Sequence, residues 1–414
     1  MASVEGISRR GFLAASGAAA LNASNYSRII GANERILIGV IGCGGMATGH
    51  MTSIKRRMLE TDNVQMIAVC DLYDRRLNAA AELTGGRPYK RYEELLANKD
   101  IDYVLNATPE HWHSRIIIDA IDAGKHLYSE KPMTRTVEQA KKVVAKVQAN
   151  PKVKVQIGVQ GMSDDSYAAA NKVIKDGGLG RVVLAQIDYS RNHTGDFWAD
   201  PSYKIDEDVQ PGVNLDWKTW LGDTPKRAYD PERFFRWRRY WDYSGGIASD
   251  LFVHRVTRLI RAIGLTFPDK GVGAGGKWEF RESKAEIPDT FNILLDYPEG
   301  LTIQLVSSMA NGRKVDHLIR GHKATLEFTN IGFTVTPEPI FKTELKELAH
   351  KRSGAEDVVL HHRNLQNAIR KNEPLNCDVN LGYYGVVASE MGVQSFRQQK
   401  YMKWDISKQR IVRA

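Results

Sequence analysis

The chain reads as an α/β protein of two domains, a doubly wound parallel sheet followed by an α+β domain with an open, mainly antiparallel sheet. Three observations predict this. Its 414 residues exceed the roughly 250–300 at which a single hydrophobic core stops growing. After a short leader, the first part alternates compact apolar runs with stretches of helical periodicity. The remainder brings strands in series, with two closing helices.

The leader is residues 1–33. Ser8-Arg9-Arg10-Gly11-Phe12-Leu13 precedes a small-residue run to Leu21, with Ala18-Ala19-Ala20 as a cleavage-type site. This resembles a twin-arginine export signal; a tail with a chance arginine pair is the bland alternative. The export reading predicts use of the twin-arginine machinery and a periplasmic or other extracytoplasmic location. No apolar run reaches the roughly 18 residues that span a bilayer, so no stable membrane insertion is expected.

The first domain is residues 34–158. "RILIGVIG" is a buried parallel strand bounded by glycine. The turn after it, Gly42-Cys43-Gly44-Gly45-Met46-Ala47, fits G-x-G-x-x-A. Gly42 allows the tight turn, Gly44 lets a pyrophosphate approach the backbone, and Ala47 lets the helix pack on the strand. The helix start then offers free N–H groups to phosphates. The second strand, "VQMIAVC", ends in Asp71, an acceptor for a ribose 2′-OH that repels a 2′-phosphate. NAD is therefore expected in a Rossmann-type domain. Arg75 and Arg76 follow closely and keep NADP open.

The alternation continues through "YKRYEELLAN", "IDYVLNATP", "HSRIIIDAIDAG", "KHLYSEKP", "TVEQAKKVVAKVQAN" and "VKVQIGVQ". Polar clusters fall at strand ends, where such sheets bind ligands: Asp71, Thr108-Pro109-Glu110-His111-Trp112-His113, and Glu130-Lys131-Pro132. His111 and His113 raise a metal question. No cysteine or carboxylate set with ligand spacing accompanies them, so no metal is expected.

The second domain is residues 159–414. "YAAANKVIKDGGLG" is a helix ended by glycine, and "VVLAQIDYSRN" alternates as a strand. "FNILLDYPEGLTIQLVSS" is a hairpin turning at Pro298-Glu299-Gly300. "LHHRNLQNAIRKNEP" and "LGYYGVVASEMGVQSFRQQ" are the closing helices.

Arg191, His193 and Trp198 follow the first strand of this domain, and "RFFRWRRYW", with Arg236 and Trp237, precedes a glycine pair. Rings that stack on sugar C–H faces and guanidiniums that bind hydroxyls suit a carbohydrate. A packed insertion over the domain junction explains the same texture. The net charge of +9 is spread along the chain with no nucleic-acid motif, so nucleic acid is not expected as a partner. Three cysteines are too few and too odd for a disulfide framework.

"GVIGCGGMA", "AVCD", "NATPEHWH", "SEKPMT" and "GGIASDLFVH" together, in this order, resemble the Gfo/Idh/MocA family. The resemblance runs from about Arg35 to the C-terminus. It implies a nicotinamide-dependent oxidoreductase of sugars or polyols, and an oligomer built on the outer face of the second sheet. By the same resemblance Lys131 hydrogen-bonds the reacting hydroxyl, His254 is the general base, and Asp250 is its imidazole or substrate partner. Glu130, Thr108, Pro109 and His113 would line the nicotinamide side. Leu251, Phe252 and Val253 stand where relatives often place a glycine.

The chemistry agrees with those roles. Hydride removal from a secondary alcohol requires loss of the hydroxyl proton, and histidine is the usual base near neutral pH. Asp250 and His254 are at i, i+4 and share a helical face. A carboxylate there is expected to favour the protonated imidazole and to orient it. Lys131 would stabilise the developing alkoxide.

Two rival functions stand beside this one. A NAD-dependent glycosidase, working by oxidation, elimination and reduction, would release a leaving group without net cofactor reduction. A non-catalytic sugar-binding protein of the same fold would bind no nicotinamide. Export and a soluble cofactor together predict that the nicotinamide is loaded before export, held tightly, and recycled within the catalytic cycle.

Overall fold

The computed structural model describes residues 35–59, 61–199 and 203–414. Residues 1–33, where a twin-arginine leader is expected, lie outside the described residues. The first-domain strands are β1 (Ile36–Ile41), β2 (Val64–Cys70), β3 (Arg87–Tyr89), β4 (Tyr103–Asn106), β5 (His126–Glu130) and β6 (Val155–Gly158). They form one parallel sheet in the order 3-2-1-4-5-6. Buried on nearly every residue, β1, β4 and β6 are the continuous apolar runs that a sheet covered on both faces requires.

The connections are α1 (Gly45–Arg57), α2 (Asp74–Thr84), α3 (Tyr92–Leu96), α4 (Glu110–Asp122) and α5 (Val137–Ala149). Thr136 and Gln139 form a reciprocal capping box at the start of α5, a device that stabilises a helix by about 1 kcal/mol. Strand order reverses between β1 and β4, which opens a crevice at their carboxyl ends.

Beyond Gly158 come α6 (Ser166–Lys175), β7 (Val182–Asp188), α7 (Trp217–Trp220) and α8 (Pro231–Phe235). A π-turn, Ala248–Phe252, runs directly into α9 (Val253–Ile263). Then follow β8 (Lys270–Gly276), β9 (Thr290–Tyr297), β10 (Leu301–Ser308), β11 (Leu318–Gly321), β12 (Ala324–Thr329), β13 (Gly332–Pro337) and β14 (Leu348–Lys351). The chain closes with α10 (Val358–Lys371), α11 (Val379–Gln398), β15 (Met402–Asp405) and β16 (Arg410–Arg413).

The second sheet has ten strands in the order 14-13-12-11-7-10-9-8-15-16. Every described pairing is antiparallel except β7 with β10. The hairpin β9–β10 turns at Gly300, whose φ of +81° suits glycine. Along β10, buried and half-buried residues alternate, so one face packs inward on α9, as β8 and β9 pack on α11, while the other stays open.

Two features were not evident from chain order. Helix α10 returns to the first domain and packs on α1, β5 and β6, with Val359 and Leu365 in that domain's core. A separate aromatic cluster of Tyr73, Trp217, Trp220, Phe234, Phe235, Tyr240 and Tyr243 roofs the crevice.

Candidate active site

A cavity of about 450 Å³ occupies the crevice, within the range of roughly 300–1,000 Å³ usual for ligand sites. One end is backbone. Gly42 has φ +83°, and a Cβ there would meet Thr108 N at 2.8 Å, so this turn requires glycine. Gly44 and Gly45 line the cavity, and a Cβ on Gly44 would project into nearly open space. Helix α1 starts there without a side-chain cap, which leaves its N–H groups for a ligand. Asp71 closes this end: Oδ2 accepts from Cys43 N at 2.7 Å and Oδ1 from Tyr73 N at 2.8 Å. A phosphate cradle at a helix N-terminus beside a carboxylate at the end of β2 fits a dinucleotide such as NAD.

The other end is made of side chains. Lys131 Nζ donates to Asp250 Oδ1 at 2.7 Å and to the Asp250 carbonyl at 3.0 Å. Arg238 Nε donates to the same Oδ1 at 3.0 Å. Burial alone would raise the Asp250 carboxyl; the charges of Lys131 and Arg238 outweigh it and hold the group far below the usual carboxylate range. Lys131 and Arg238 line the cavity with Tyr203 and Trp237, and the Arg238 guanidinium lies 4.3 Å over the Trp237 ring.

His254 is buried beside this group. Its Nδ1 has no hydrogen-bond partner, and the Tyr189 ring stands edge-on at 6.1 Å. Burial depresses its pKa well below the usual value, with Lys131 and Arg258 adding to the effect; Asp250 opposes them and does not prevail. The expectation that Asp250 keeps the imidazole protonated and oriented is therefore corrected. Asp250 serves the two cations instead, and burial favours the neutral form of His254. Asp250 lies in the π-turn Ala248–Phe252, two residues after its start, with Ile247 as the cap. Such turns recur at functional sites.

Glu130 lines the cavity beside Lys131 and is buried. Burial would raise its carboxyl, but a 2.9 Å hydrogen bond from His50 Nε2, with the charges of His50 and Lys131, pulls it below the usual range. His50 Nδ1 meets His362 Nε2 at 2.9 Å, and Tyr103 Oη meets His362 Nδ1 at 3.2 Å. This array brings together α1, β5, α10 and β4, and no sequence spacing announced it.

Thr108, Pro109 and Met46 line the cavity, whereas Ala47 is on the buried face of α1. His113 is buried, its ring nitrogens facing the Pro132 and Thr108 carbonyls at 2.7 and 2.9 Å, so it braces the wall rather than forming it. His111 faces the Trp220 carbonyl at 2.9 Å, and burial lowers its pKa to about 3. Among the described residues no three His, Cys, Asp or Glu side chains gather as a metal site.

Arg75 points away to Asp206 and Asp208 at 3.0 and 3.4 Å. Its neighbour Arg76 lines the cavity and lies over Phe234 and Phe235 at 5.0 and 5.2 Å.

The tentative substrate residues separate. Trp237 lines the cavity. Arg236 is held by Glu232 at 2.6 Å and by the Tyr203 carbonyl at 3.3 Å. Trp198 is fully buried in the core. Arg191 lies over Tyr189 at 5.0 Å, and His193 is half-buried; neither lines the cavity. Arg238 was missed. Helix α8 ends at Phe235 and a 3₁₀ turn, Trp237–Arg239, follows, which redirects successive arginines.

Residues 36–159 match the profile described as "Oxidoreductase family, NAD-binding Rossmann fold" of the Gfo/Idh/MocA group. Residues 217–404 and 165–264 match two profiles of its C-terminal alpha/beta domain. An inositol 2-dehydrogenase of Rubrobacter xylanophilus is 28% identical over 188 residues, 45% of this chain and 49% of that protein. An inositol 2-dehydrogenase of Arthrobacter is 31% identical over 152 residues, 36% of this chain and 44% of that protein. The chain thus spans about half the length of the curated relatives it matches.

Among solved structures, the WlbA dehydrogenase of Bordetella pertussis, in complex with NADH and UDP-GlcNAcA, superposes with a TM-score of 0.66 at 19% identity, covering 90% of this chain and 99% of that one. A levoglucosan dehydrogenase in complex with NADH and L-sorbose gives 0.68 at 16% identity, covering 89% and 98%. At these identities the superpositions establish the fold.

Proposed function

The chain belongs to the Gfo/Idh/MocA oxidoreductase family, and from that premise we propose that it oxidises or reduces a secondary carbinol of a sugar, sugar derivative or polyol with NAD. The observation that carries this reading is the Lys131–Asp250–Arg238 charge line at the far end of a cavity whose other end is a dinucleotide cradle. The relatives named inositol 2-dehydrogenase support a cyclic polyol as substrate class.

Bound nicotinamide supplies the hydride acceptor. The protein's own residues handle the proton and the charge. Two of the three Lys131 ammonium hydrogens are taken by Asp250, which leaves one to donate to the substrate oxygen. The Lys131 ammonium, held in place by Asp250, is aimed where the alkoxide develops and stabilises it. His254, whose pKa burial holds well below the usual value, is the base in this reading, although it is not among the residues that line the cavity. Glu130, held by His50, forms the wall beside Lys131.

The twin-arginine leader extends the proposal to an exported enzyme that keeps and recycles its cofactor. Mass spectrometry of the folded protein purified from the export compartment and dialysed tests this. Retained NAD is the expected result. Loss of all nicotinamide, with activity restored only by free NAD, would refute tight retention.

A further inference from the structure

Glu110 takes no part in the steps above, yet it is almost fully buried against the segment that carries Asp250. It opens α4, in the first domain. Its Oε1 accepts from Ser244 Oγ at 2.8 Å and from Ser249 Oγ at 2.9 Å. Its Oε2 accepts from Ser249 Oγ at 2.8 Å and from Gly245 N at 3.2 Å. Ser249 Oγ also accepts from Gly245 N at 2.8 Å, and Ser244 Oγ from Gly246 N at 3.0 Å. The whole turn is therefore gathered around one carboxylate of the other domain. Gly246, at φ +62° and with Ile287 3.0 Å from where a Cβ would stand, gives the turn its shape. Asp250 N donates to the Gly246 carbonyl at 2.9 Å, so the turn and the catalytic carboxylate move together.

We propose that Glu110 is a positioning residue: it docks the turn 244–249 onto the dinucleotide-binding domain and so sets the Asp250 carboxylate that holds the Lys131 ammonium. The assignment of that end as the reacting end rests on the function proposed above; the docking itself does not.

The charges around Glu110 make the device sensitive to pH. Asp250 faces it as a like charge, Lys131 and Arg238 as opposite charges, and Ser244 and Ser249 as donors. Burial, with Asp250 adding to it, pushes the carboxyl up to about 7 against the hydrogen bonds of Ser249 and Ser244 and the charge of Lys131. Ionised, it accepts from all three donors. Protonated, it must itself donate, and one serine hydroxyl must turn to accept, so the ionised form is the aligned one.

The test compares wild type with Glu110→Gln and Ser249→Ala by hydrogen exchange of residues 244–254, NAD affinity, and kcat/KM against pH. Both variants are expected to raise exchange in that segment by about fivefold or more, and to lower kcat/KM at pH 8 by roughly tenfold with NAD affinity unchanged. The wild-type acidic limb near pH 7 should vanish in Glu110→Gln. Unchanged exchange, or an acidic limb that survives the substitution, overturns the proposal. Ser249→Ala carries the exchange and kcat/KM readouts if Glu110→Gln does not fold. A wild type without turnover on any polyol defeats the oxidoreductase reading and leaves exchange to decide the role of Glu110.

Discussion

The two ends of the cavity are built from different material. The dinucleotide end is a continuous loop of backbone, Gly42 to Met46, closed by one carboxylate on the neighbouring strand. The other end is assembled from side chains, with Asp250 accepting from Arg238 nearby in the chain and from Lys131, 119 positions away. A backbone cradle depends on glycine and little else. A side-chain site depends on every partner being in place, because a buried charge left alone costs about 3–5 kcal/mol. The two ends should therefore fail separately.

The largest effect is expected from Lys131→Ala. Loss of a preorganised donor should lower kcat/KM by roughly 10²–10³-fold, while NAD binding, followed by fluorescence titration, stays within about threefold. Asp71→Ala is the converse. NAD affinity should fall by roughly 10–100-fold, the worth of hydrogen bonds to a charged group, with kcat at saturating NAD little changed. If either substitution damaged both functions equally, the division between the ends would be lost.

A third prediction separates Glu110 from Asp250. Its folded pKa of about 7 lies above the ordinary glutamate value of 4.5, so its contribution to stability is full below about pH 4.5 and is lost as pH rises through 7. Glu110→Gln does not titrate. The variant's Tm relative to wild type should therefore rise between pH 5 and pH 8, by the equivalent of on the order of 1–3 kcal/mol. A flat difference across that range would mean that Glu110 is not buried as described. The smallest effect distinguishes neighbours. Arg76→Ala should weaken NAD several-fold, since it removes a cavity wall held over two rings. Arg75→Ala, an exposed ion pair outside the cavity, should leave NAD affinity within about twofold.

The same contrast explains what the sequence made legible. Gly42, Gly44 and Asp71 could be placed because their geometry is local: a tight turn, a helix start and a strand end lie within one βαβ unit. Asp250 and His254 could be paired by helical spacing, but not given their partners, since nothing local says that Asp250 will face Lys131 and Arg238 rather than the imidazole. Among the arginines, Arg236 and Arg238 differ only by the change from α8 to a 3₁₀ turn, which turns one to Glu232 and the other to Asp250. Trp198 has the composition of a sugar platform and lies in the core instead. The array of Glu130, His50, His362 and Tyr103 joins four elements, and only the return of α10 to the first domain creates it.

The central claim is that this cavity moves hydride between a carbinol carbon and a nicotinamide. The most direct measurement uses inositols and hexoses deuterated at their carbinol carbons, incubated with the NAD-loaded protein, followed by mass spectrometry of the cofactor. Wild type quenched within a single turnover is expected to carry deuterium at C4 of the reduced nicotinamide, before any recycling step returns it, and Lys131→Ala, with NAD still bound, is expected to carry none. A fully loaded wild-type protein that transfers no deuterium from any member of the panel would contradict it.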